Sequence, residues 1–228
     1  MNKKFLILII LLGVFAGIWN SLKISPAVAD VPRGEITDST ASVIQSEIEE
    51  DDLFSFGSII GGTYKNEFFG FACTLDDNWH YSSDDELESL QKEAKAYITS
   101  GDNEAFKKFI ESANGPIKDM RAVRASSDAY SSVAVSFTYV GTLFNEHEMA
   151  ENIAHLIFDT NGTENKVESV NFLGQNHPAL YSQETENSID IYQYQMIYAI
   201  NDYCVYVTVI TAFEDYAKDI FSLFYTIE

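Results

Sequence analysis

Histidine and cysteine are the residue types of this chain that could support metal binding or nucleophilic chemistry. Zinc sites commonly place two such ligands a few residues apart. No histidine of this chain stands two, three or four residues from another histidine or from a cysteine. The spacing therefore predicts no metal site, no cofactor site and no catalytic residue. The residues concerned are His80, His147, His155, His177, Cys73 and Cys204.

Cys73 is the cysteine nearest to a histidine, since a predicted turn separates it from His80. A nucleophilic cysteine needs a partly exposed thiol beside a base. Strand alternation instead places Cys73 on the same face as Phe69 and Phe71, which predicts a buried, inert thiol. Cys204 also lies in an apolar run. Two alternatives stay open for the pair: a disulfide in an exported protein, or two buried thiols.

The other polar patterns have structural explanations and weaker functional alternatives. The acids at 84–86 suit a helix start, and neither they nor those at 49–52 have the glycine-centred spacing of a calcium loop. His177, beside Pro178, is predicted to lie in a turn. The tyrosines of the last hairpin predict packing beneath helices, with a carbohydrate- or peptide-binding platform as the alternative. These are Tyr192, Tyr194, Tyr198, Tyr203 and Tyr206.

The N-terminal residues have the pattern of a secretory signal peptide. Lys3 and Lys4 precede an apolar run over residues 5–19, which is short for a bilayer span. Ala27-Val28-Ala29 is a small-residue cleavage motif, so cleavage is expected between Ala29 and Asp30. Residues 1–29 are the predicted signal peptide, with an uncleaved membrane anchor as the alternative. We therefore expect an extracytoplasmic protein, secreted or associated with the cell surface.

The charge balance limits the classes of partner. The chain has 14 basic residues against 35 acidic ones, a formal net charge of −21. Such a surface repels nucleic acid and anionic lipid head groups. We expect no nucleic-acid partner, and membrane contact only through an uncleaved N-terminal segment.

Two further segments follow the signal peptide. Residues 30–61 are acidic with weak periodicity, which predicts a flexible tether, and residues 62–228 are the predicted globular domain. The predicted strands of the domain are 64–67, 68–75, 117–125, 131–140, 166–173, 179–185, 189–200 and 203–213. The predicted helices are 83–99, 102–114, 145–161 and 214–226.

These elements predict an α+β fold, a three-layer α/β/α sandwich around a mainly antiparallel sheet. Turns are expected at 76–78, with Trp79 as an anchor after it, and at 174–178. The two-residue loop Asn201-Asp202 predicts a tight hairpin. Its register would pair Tyr198 with Val205 on one face. It would pair Ala199 with Cys204 on the other.

The residues Tyr64-Lys65-Asn66-Glu67-Phe68-Phe69-Gly70-Phe71, followed by a strand and by Asp76-Asp77-Asn78-Trp79, resemble the start of exported domains common in Firmicutes. The hairpin at 171–179 and the last helix also resemble that group, which has the PsbP-like fold. Members often carry a proline where this chain has Asp76-Asp77, and many are lipoproteins, whereas residues 1–72 contain no cysteine. The resemblance implies an accessory or binding protein and transfers no catalytic residue.

The functional prediction is a secreted or surface-associated, non-enzymatic domain that binds an unknown protein or small molecule. No nucleophile elbow, phosphate-binding loop, dinucleotide fingerprint or H-E-x-x-H motif is present. Two alternatives remain. One is a hydrolase of cell-wall or carbohydrate material that uses a carboxylate pair, and the other is a calcium-responsive surface protein.

Overall fold

The computed structural model describes residues 55–89, 92, 117–126, 129–139, 144–161, 165–186 and 188–227. The predicted signal peptide, its cleavage site at Ala29 and Asp30, and the tether before residue 55 lie outside these ranges. So do the predicted helix over 102–114 and most of the one over 83–99. Within the described ranges, no helix is long and apolar enough to cross a membrane.

A seven-stranded antiparallel sheet forms the centre of the fold. The antiparallel pairing is as predicted, but the predicted strands 64–67 and 68–75 belong to a second sheet. Its strands, in spatial order, are β4 (His80–Tyr81), β5 (Ile117–Ala125), β6 (Tyr130–Tyr139), β10 (Tyr203–Ala212), β9 (Ile189–Ile200), β8 (Gln175–Glu186) and β7 (Lys166–Phe172). The strand β10 lies in the middle, and its residues after Tyr203 are buried on both faces. A strand that is apolar on both faces needs cover on both sides, which explains its central place.

The β9–β10 hairpin has the predicted register. Val205 pairs with Tyr198, and Cys204 pairs with Ala199. Asn201 adopts φ 46°, a left-handed conformation that asparagine tolerates better than most residues. The two-residue loop thus fixes which side chains face each side of the sheet.

A second, four-stranded antiparallel sheet packs against the first. Its strands, in spatial order, are β1 (Ser58–Ile60), β2 (Thr63–Asn66), β3 (Phe71–Thr74) and β11 (Phe224–Thr226). The two predicted strands after residue 63 are confirmed as β2 and β3, joined by a turn in which Gly70 adopts φ 70°. The strand β1 lies inside the range predicted as tether.

The predicted closing helix over 214–226 is wrong beyond Phe221. The helix α2 covers only Ala217–Phe221, and the chain then turns into β11, which pairs with β3. Phe224 is buried and Tyr225 is 44% exposed, as expected for neighbouring residues on opposite faces of a strand. The strand β3 would otherwise be a sheet edge with unpaired backbone groups, and β11 satisfies them.

The two faces of the large sheet have different cover. On one face, buried side chains of β2, β3, α2 and β11 pack against it in the main core cluster. On the other face, the helix α1 (Glu146–Asn161) packs Met149, Ala150 and Ile153 against the sheet. The α+β fold with a mainly antiparallel sheet is confirmed. The layer order differs from α/β/α, because among the described residues a small sheet and a five-residue helix cover the first face.

The β7–β8 hairpin is tighter than predicted. Leu173 and Gly174 both have positive φ, of 52° and 80°, and form a two-residue turn. The strand β8 therefore starts at Gln175, so His177 lies in a strand and not in the predicted turn. The 76–78 turn is confirmed, since Asp76 Oδ1 accepts the Asn78 N–H at 2.8 Å.

Residues 84–89 are helical and begin at a capping box that Ser83 and Glu86 form. The Ser83 N–H donates to Glu86 Oε2 at 2.8 Å, and the Glu86 N–H donates to Ser83 Oγ at 3.4 Å. The backbone hydrogen bond from Ser83 lowers the pKa of the Glu86 carboxyl.

Candidate functional site

The two cysteines lie in different clusters on opposite faces of the large sheet. Both are buried thiols. Burial raises the pKa of Cys73 to about 12 and also raises that of Cys204. The Cys204 thiol contacts Met149 Sδ at 3.6 Å beneath α1, while Cys73 packs between the two sheets. This placement favours the two-thiol alternative over the disulfide.

The histidines do not come together. His80, His147 and His155 are exposed, and the first two stand 3.8 and 3.4 Å from Glu86 and Glu151. Within the described ranges, no group of three or more histidine, cysteine, aspartate or glutamate residues is placed to hold a metal ion.

His177 belongs instead to a buried polar contact that the sequence did not predict. The β8–β9 ladder ends at Ala179 and Met196, next to Pro178, which has no N–H to donate. The Glu146 carboxylate reaches the strands there from the start of α1. One oxygen accepts the Ala199 N–H at 2.7 Å, and the other accepts from His177 Nδ1 at 2.8 Å. Glu146 thus fastens α1 to two strands.

The tyrosines of the last hairpin mainly fill space. Tyr206 is fully buried, and Tyr194 is 3% exposed, with its hydroxyl 3.2 Å from Asp215 Oδ2. Burial raises the pKa of both phenols. Tyr203 packs edge-on against Phe69. These contacts favour packing over a binding platform.

A pocket of about 540 Å³ opens where the small sheet, β5 and α2 meet. Its wall combines apolar, aromatic and charged side chains. They are Thr74, Leu75, Asp76, Trp79, Arg124, Tyr216, Asp219, Ile220 and Leu223. We call it the Arg124 pocket.

The Arg124 guanidinium is held by two aromatic rings. Its central carbon lies 5.1 Å from the Trp79 ring centroid and 5.7 Å from that of Tyr216. Both distances are within the range of cation–π attraction. The Tyr216 hydroxyl is fixed in turn by Ser131 Oγ at 2.5 Å and by the Tyr130 carbonyl at 3.3 Å. Arg124 Nη2 donates to Ser131 at 3.4 Å, so the guanidinium is oriented by contacts on several sides.

The Arg124 pocket carries both signs of charge. Among the described residues, Arg124 forms no ion pair, although Asp76 and Asp219 line the same pocket. Trp79, only 8% exposed, and Leu223, 38% exposed, supply apolar surface. The pocket can therefore contact a ligand that has an anionic group, a cationic group and an apolar part.

The sequence predicted one element of this pocket and missed the others. Trp79 was expected as an anchor after the 76–78 turn. The sequence does show that Arg124 is a cation on a predicted strand, and that its cross-strand partner, Ser131, is small and polar. This pattern does not predict a pocket by itself, because Tyr216, which completes the pocket, is distant in the chain.

Comparisons with known proteins give distant structural likenesses. No protein-family model matches the chain, and no curated protein matches it. The fold is similar to that of LpqN, whose crystal structure is described as that of a protein involved in cell envelope biogenesis of Mycobacterium tuberculosis. The identity is 8% over 69% of this chain and 83% of that chain, with a TM-score of 0.36. A likeness this distant carries no argument about function.

Proposed function

We propose that this protein is an extracytoplasmic binding domain whose ligand is a peptide or another zwitterion with an apolar part. The observation that carries the proposal is the Arg124 guanidinium, held between Trp79 and Tyr216 in a pocket that also presents Asp76 and Asp219. The proposed export rests on the signal-peptide pattern of residues 1–29. The proposed PsbP-like relation rests on the motif that begins at Tyr64.

The charges of the pocket favour a zwitterion over a simple anion. A net charge of −21 repels anions in general, and the two carboxylates add to this repulsion within the pocket. A ligand ammonium group beside Asp76 or Asp219 would offset it. A ligand carboxylate can accept two parallel hydrogen bonds from the planar guanidinium.

The ligand's apolar part would contact Trp79 and Leu223. Trp79 is already fixed by the guanidinium, so its ring loses little freedom when a ligand binds. Leu223 is an exposed apolar side chain on the pocket wall, and covering it removes apolar area from water.

Binding of short apolar peptides tests this function. Calorimetry would compare Leu-Trp-Leu with its C-terminally amidated and its N-terminally acetylated forms. We expect the free peptide to bind best, because each blocking group removes one charge. Arg124→Gln should weaken binding about 10- to 100-fold, since a hydrogen bond to a charged group contributes about 1.5–3 kcal/mol.

Lys65→Gln is the matched control, because Lys65 is an exposed cation on β2 that does not line the pocket. It should leave the affinity unchanged. Arg124→Lys keeps the charge and loses the planar group, so its affinity for the free peptide should lie between those of wild type and Arg124→Gln. Equal affinity for free and blocked peptides, or no binding by wild type, would reject the zwitterion proposal.

A hydrolase is the second candidate, because Asp76 and Asp219 are two carboxylates in one pocket. Asp76 already accepts the Asn78 N–H and holds the turn. Asp219 is exposed and is the freer of the two to act on a substrate. If the protein cleaves a cell-wall glycan, Asp219→Asn should abolish the release of reducing sugar ends, whereas Asp77→Asn on the same turn should not.

A further inference from the structure

The strand β11 is an outer strand of the small sheet and begins beside the Arg124 pocket. Within the described ranges it pairs with β3 alone, through Phe224–Thr226. Outer strands usually carry a charge or a proline that prevents further pairing, and β11 has neither. Tyr225 and Thr226 are exposed, so this margin of the sheet is open to solvent.

The ladder between β3 and β11 shows which backbone groups of β11 are unused. The Ile227 N–H donates to the Gly70 carbonyl at 3.0 Å, and Tyr225 lies two residues earlier in the same register. Hydrogen-bonded pairs alternate along an antiparallel ladder, so Tyr225 bonds to β3, whereas Phe224 and Thr226 direct their N–H and C=O groups away from it. These four groups have no partner among the described residues.

The other side of β3 gives the same alternation. The Leu75 N–H donates to the Gly62 carbonyl at 3.0 Å, so β3 bonds to β2 through every second residue counted back from Leu75. Cys73 is one of them and bonds to Tyr64. Its backbone groups are therefore not available to Phe224, which lies opposite Cys73 on β11.

The unused groups of β11 start where the Arg124 pocket ends. Leu223 lines the pocket and directly precedes Phe224, and Thr74 lines it and directly follows Cys73. A peptide that leaves the pocket across Leu223 would meet the free N–H and C=O groups of β11 at the next residue. With its C-terminal carboxylate at Arg124, such a peptide would run antiparallel to β11.

We propose that the Arg124 pocket binds the C-terminus of a polypeptide, which adds to β11 as an antiparallel fifth strand of the small sheet. This rests on the proposed function, because the ligand carboxylate at Arg124 sets the place of the C-terminus. A strand added to a sheet edge gains main-chain hydrogen bonds, which do not depend on its side chains.

The pocket selects the last residues of that polypeptide. Trp79 and Leu223 supply apolar contact, which favours a large apolar side chain at the C-terminus. Asp76 and Asp219 favour a lysine or arginine close to it, because the N-terminal ammonium group of a longer chain lies too far away. The formal net charge of −21 also favours a basic partner. The ligand is therefore a protein or peptide with a basic and apolar C-terminus.

Two N-acetylated peptides test strand addition in the full-length protein, acetyl-Lys-Trp-Leu and acetyl-Thr-Val-Thr-Lys-Trp-Leu. They carry the same charges, and only the longer one can extend along β11. We expect calorimetry to show at least about tenfold tighter binding of the longer peptide, because it adds main-chain hydrogen bonds. N-methylation of single backbone nitrogens in the longer peptide should remove this gain at every second position, since alternate N–H groups of a strand face its neighbour.

Thr226→Pro tests the same contact from the protein side. It removes an N–H that β3 does not use, and an outer strand tolerates proline there. The variant should bind the longer peptide at least about threefold more weakly and the shorter one as wild type does. Ile59→Pro is the matched control on β1, the other outer strand. Ile60 pairs with Thr63 across a two-residue turn, so the Ile59 N–H also faces away from its sheet.

Ile59→Pro should leave the affinity for both peptides unchanged, and Arg124→Gln should weaken the binding of both. If the shorter peptide binds and the longer one binds no more tightly, strand addition is wrong and the proposed function stands. The same holds if N-methylation has an equal effect at every position of the longer peptide. If neither peptide binds wild type, the peptide function of the Arg124 pocket is wrong as well.

Discussion

Tyr64 of β2 donates its phenolic hydrogen to the Asp119 carboxylate of β5, and this bond joins the small sheet to the large one. Asn66 Nδ2 donates to the same carboxylate at 2.8 Å, and the Gly57 N–H donates to it at 2.9 Å. Asp119 is available because it lies at a bulge, where the register with β6 shifts between Lys118 and Met120. Burial, followed by the Asp119 charge, raises the pKa of Tyr64.

The first prediction is that Tyr64 and Asp119 are energetically coupled. Each of Tyr64→Phe and Asp119→Asn should lower the free energy of unfolding by about 1–3 kcal/mol, because each leaves a partner without its hydrogen bond. The double variant should lower the free energy of unfolding by less than the sum of the two single effects, and the difference should be at least about 0.5 kcal/mol. Urea unfolding of the four proteins measures the coupling. Asp77→Asn, at an exposed acid, is the control, and strict additivity would contradict the prediction.

The contact between Tyr64 and Asp119 could not be predicted from local sequence patterns. The residues from Tyr64 onward predicted the strands β2 and β3, but the role of Tyr64 depends on Asp119, 55 positions along the chain. Nothing around Asp119 marks it as a partner, since an acid in a strand is more often exposed. Short-range features were predictable for the opposite reason. The Asn201-Asp202 loop determines the β9–β10 register locally, and Ser83 and Glu86 form a capping box within one turn.

The second prediction concerns β11, where the helix expected from the sequence is replaced by a strand. Phe224 packs against Phe71 and Phe172, with ring centroids 6.0 and 5.3 Å away. Phe224→Ala should lower the free energy of unfolding by about 3–5 kcal/mol, as for other buried phenylalanines. Tyr225→Ala should cost less than about 1 kcal/mol, because Tyr225 is 44% exposed. Equal costs, measured by urea unfolding, would argue against the strand.

The error at β11 has a physical origin. Ile220, Leu223 and Phe224 are apolar at a spacing that also suits a helix, and three residues of strand are too few to show alternation. What decides the outcome is the free edge of β3, which offers the chain backbone hydrogen-bond partners. That edge is a property of the assembled sheet and cannot be recognised from the C-terminal residues alone.

The third prediction is that Glu146 fastens α1 to β8 and β9. Glu146→Ala should lower the free energy of unfolding by about 1.5–3 kcal/mol, because a hydrogen-bonded charge is lost and His177 and the Ala199 N–H lose their acceptor. Amide hydrogen exchange at Ala199 should accelerate. Glu148→Ala, in the same helical turn but exposed, should leave the Ala199 exchange rate unchanged. Unchanged exchange in Glu146→Ala would show that the ladder does not need the carboxylate.

The fourth prediction is a loss of stability at alkaline pH that the two buried thiols cause. A cysteine of the unfolded chain ionises near its ordinary pKa of 9.0, whereas burial raises the pKa of native Cys73 to about 12. Between these values the unfolded state has lost a proton that the native state keeps. The contribution of each buried thiol to the free energy of unfolding is therefore complete below pH 9. It falls as the pH rises towards the native pKa, by about 1.4 kcal/mol per pH unit for each thiol.

Urea unfolding between pH 8 and 10 measures the pH slope of the free energy of unfolding. The difference in slope between wild type and Cys73→Ala isolates the thiol contribution, because both proteins carry the same tyrosines, which ionise near pH 10 when unfolded. Cys73→Ala should reduce the slope, because one of the two thiols no longer ionises on unfolding. Val207→Ala makes a cavity in the same core cluster without a titrating group, so it should lower stability at every pH and leave the slope unchanged. A wild-type slope equal to that of Cys73→Ala would contradict the prediction. A wild-type slope smaller than that of Cys73→Ala would instead indicate the disulfide, because oxidised wild type has no thiol and the variant keeps the Cys204 thiol. In that case, adding a reductant should make the wild-type slope the larger one, because only reduced wild type carries both thiols.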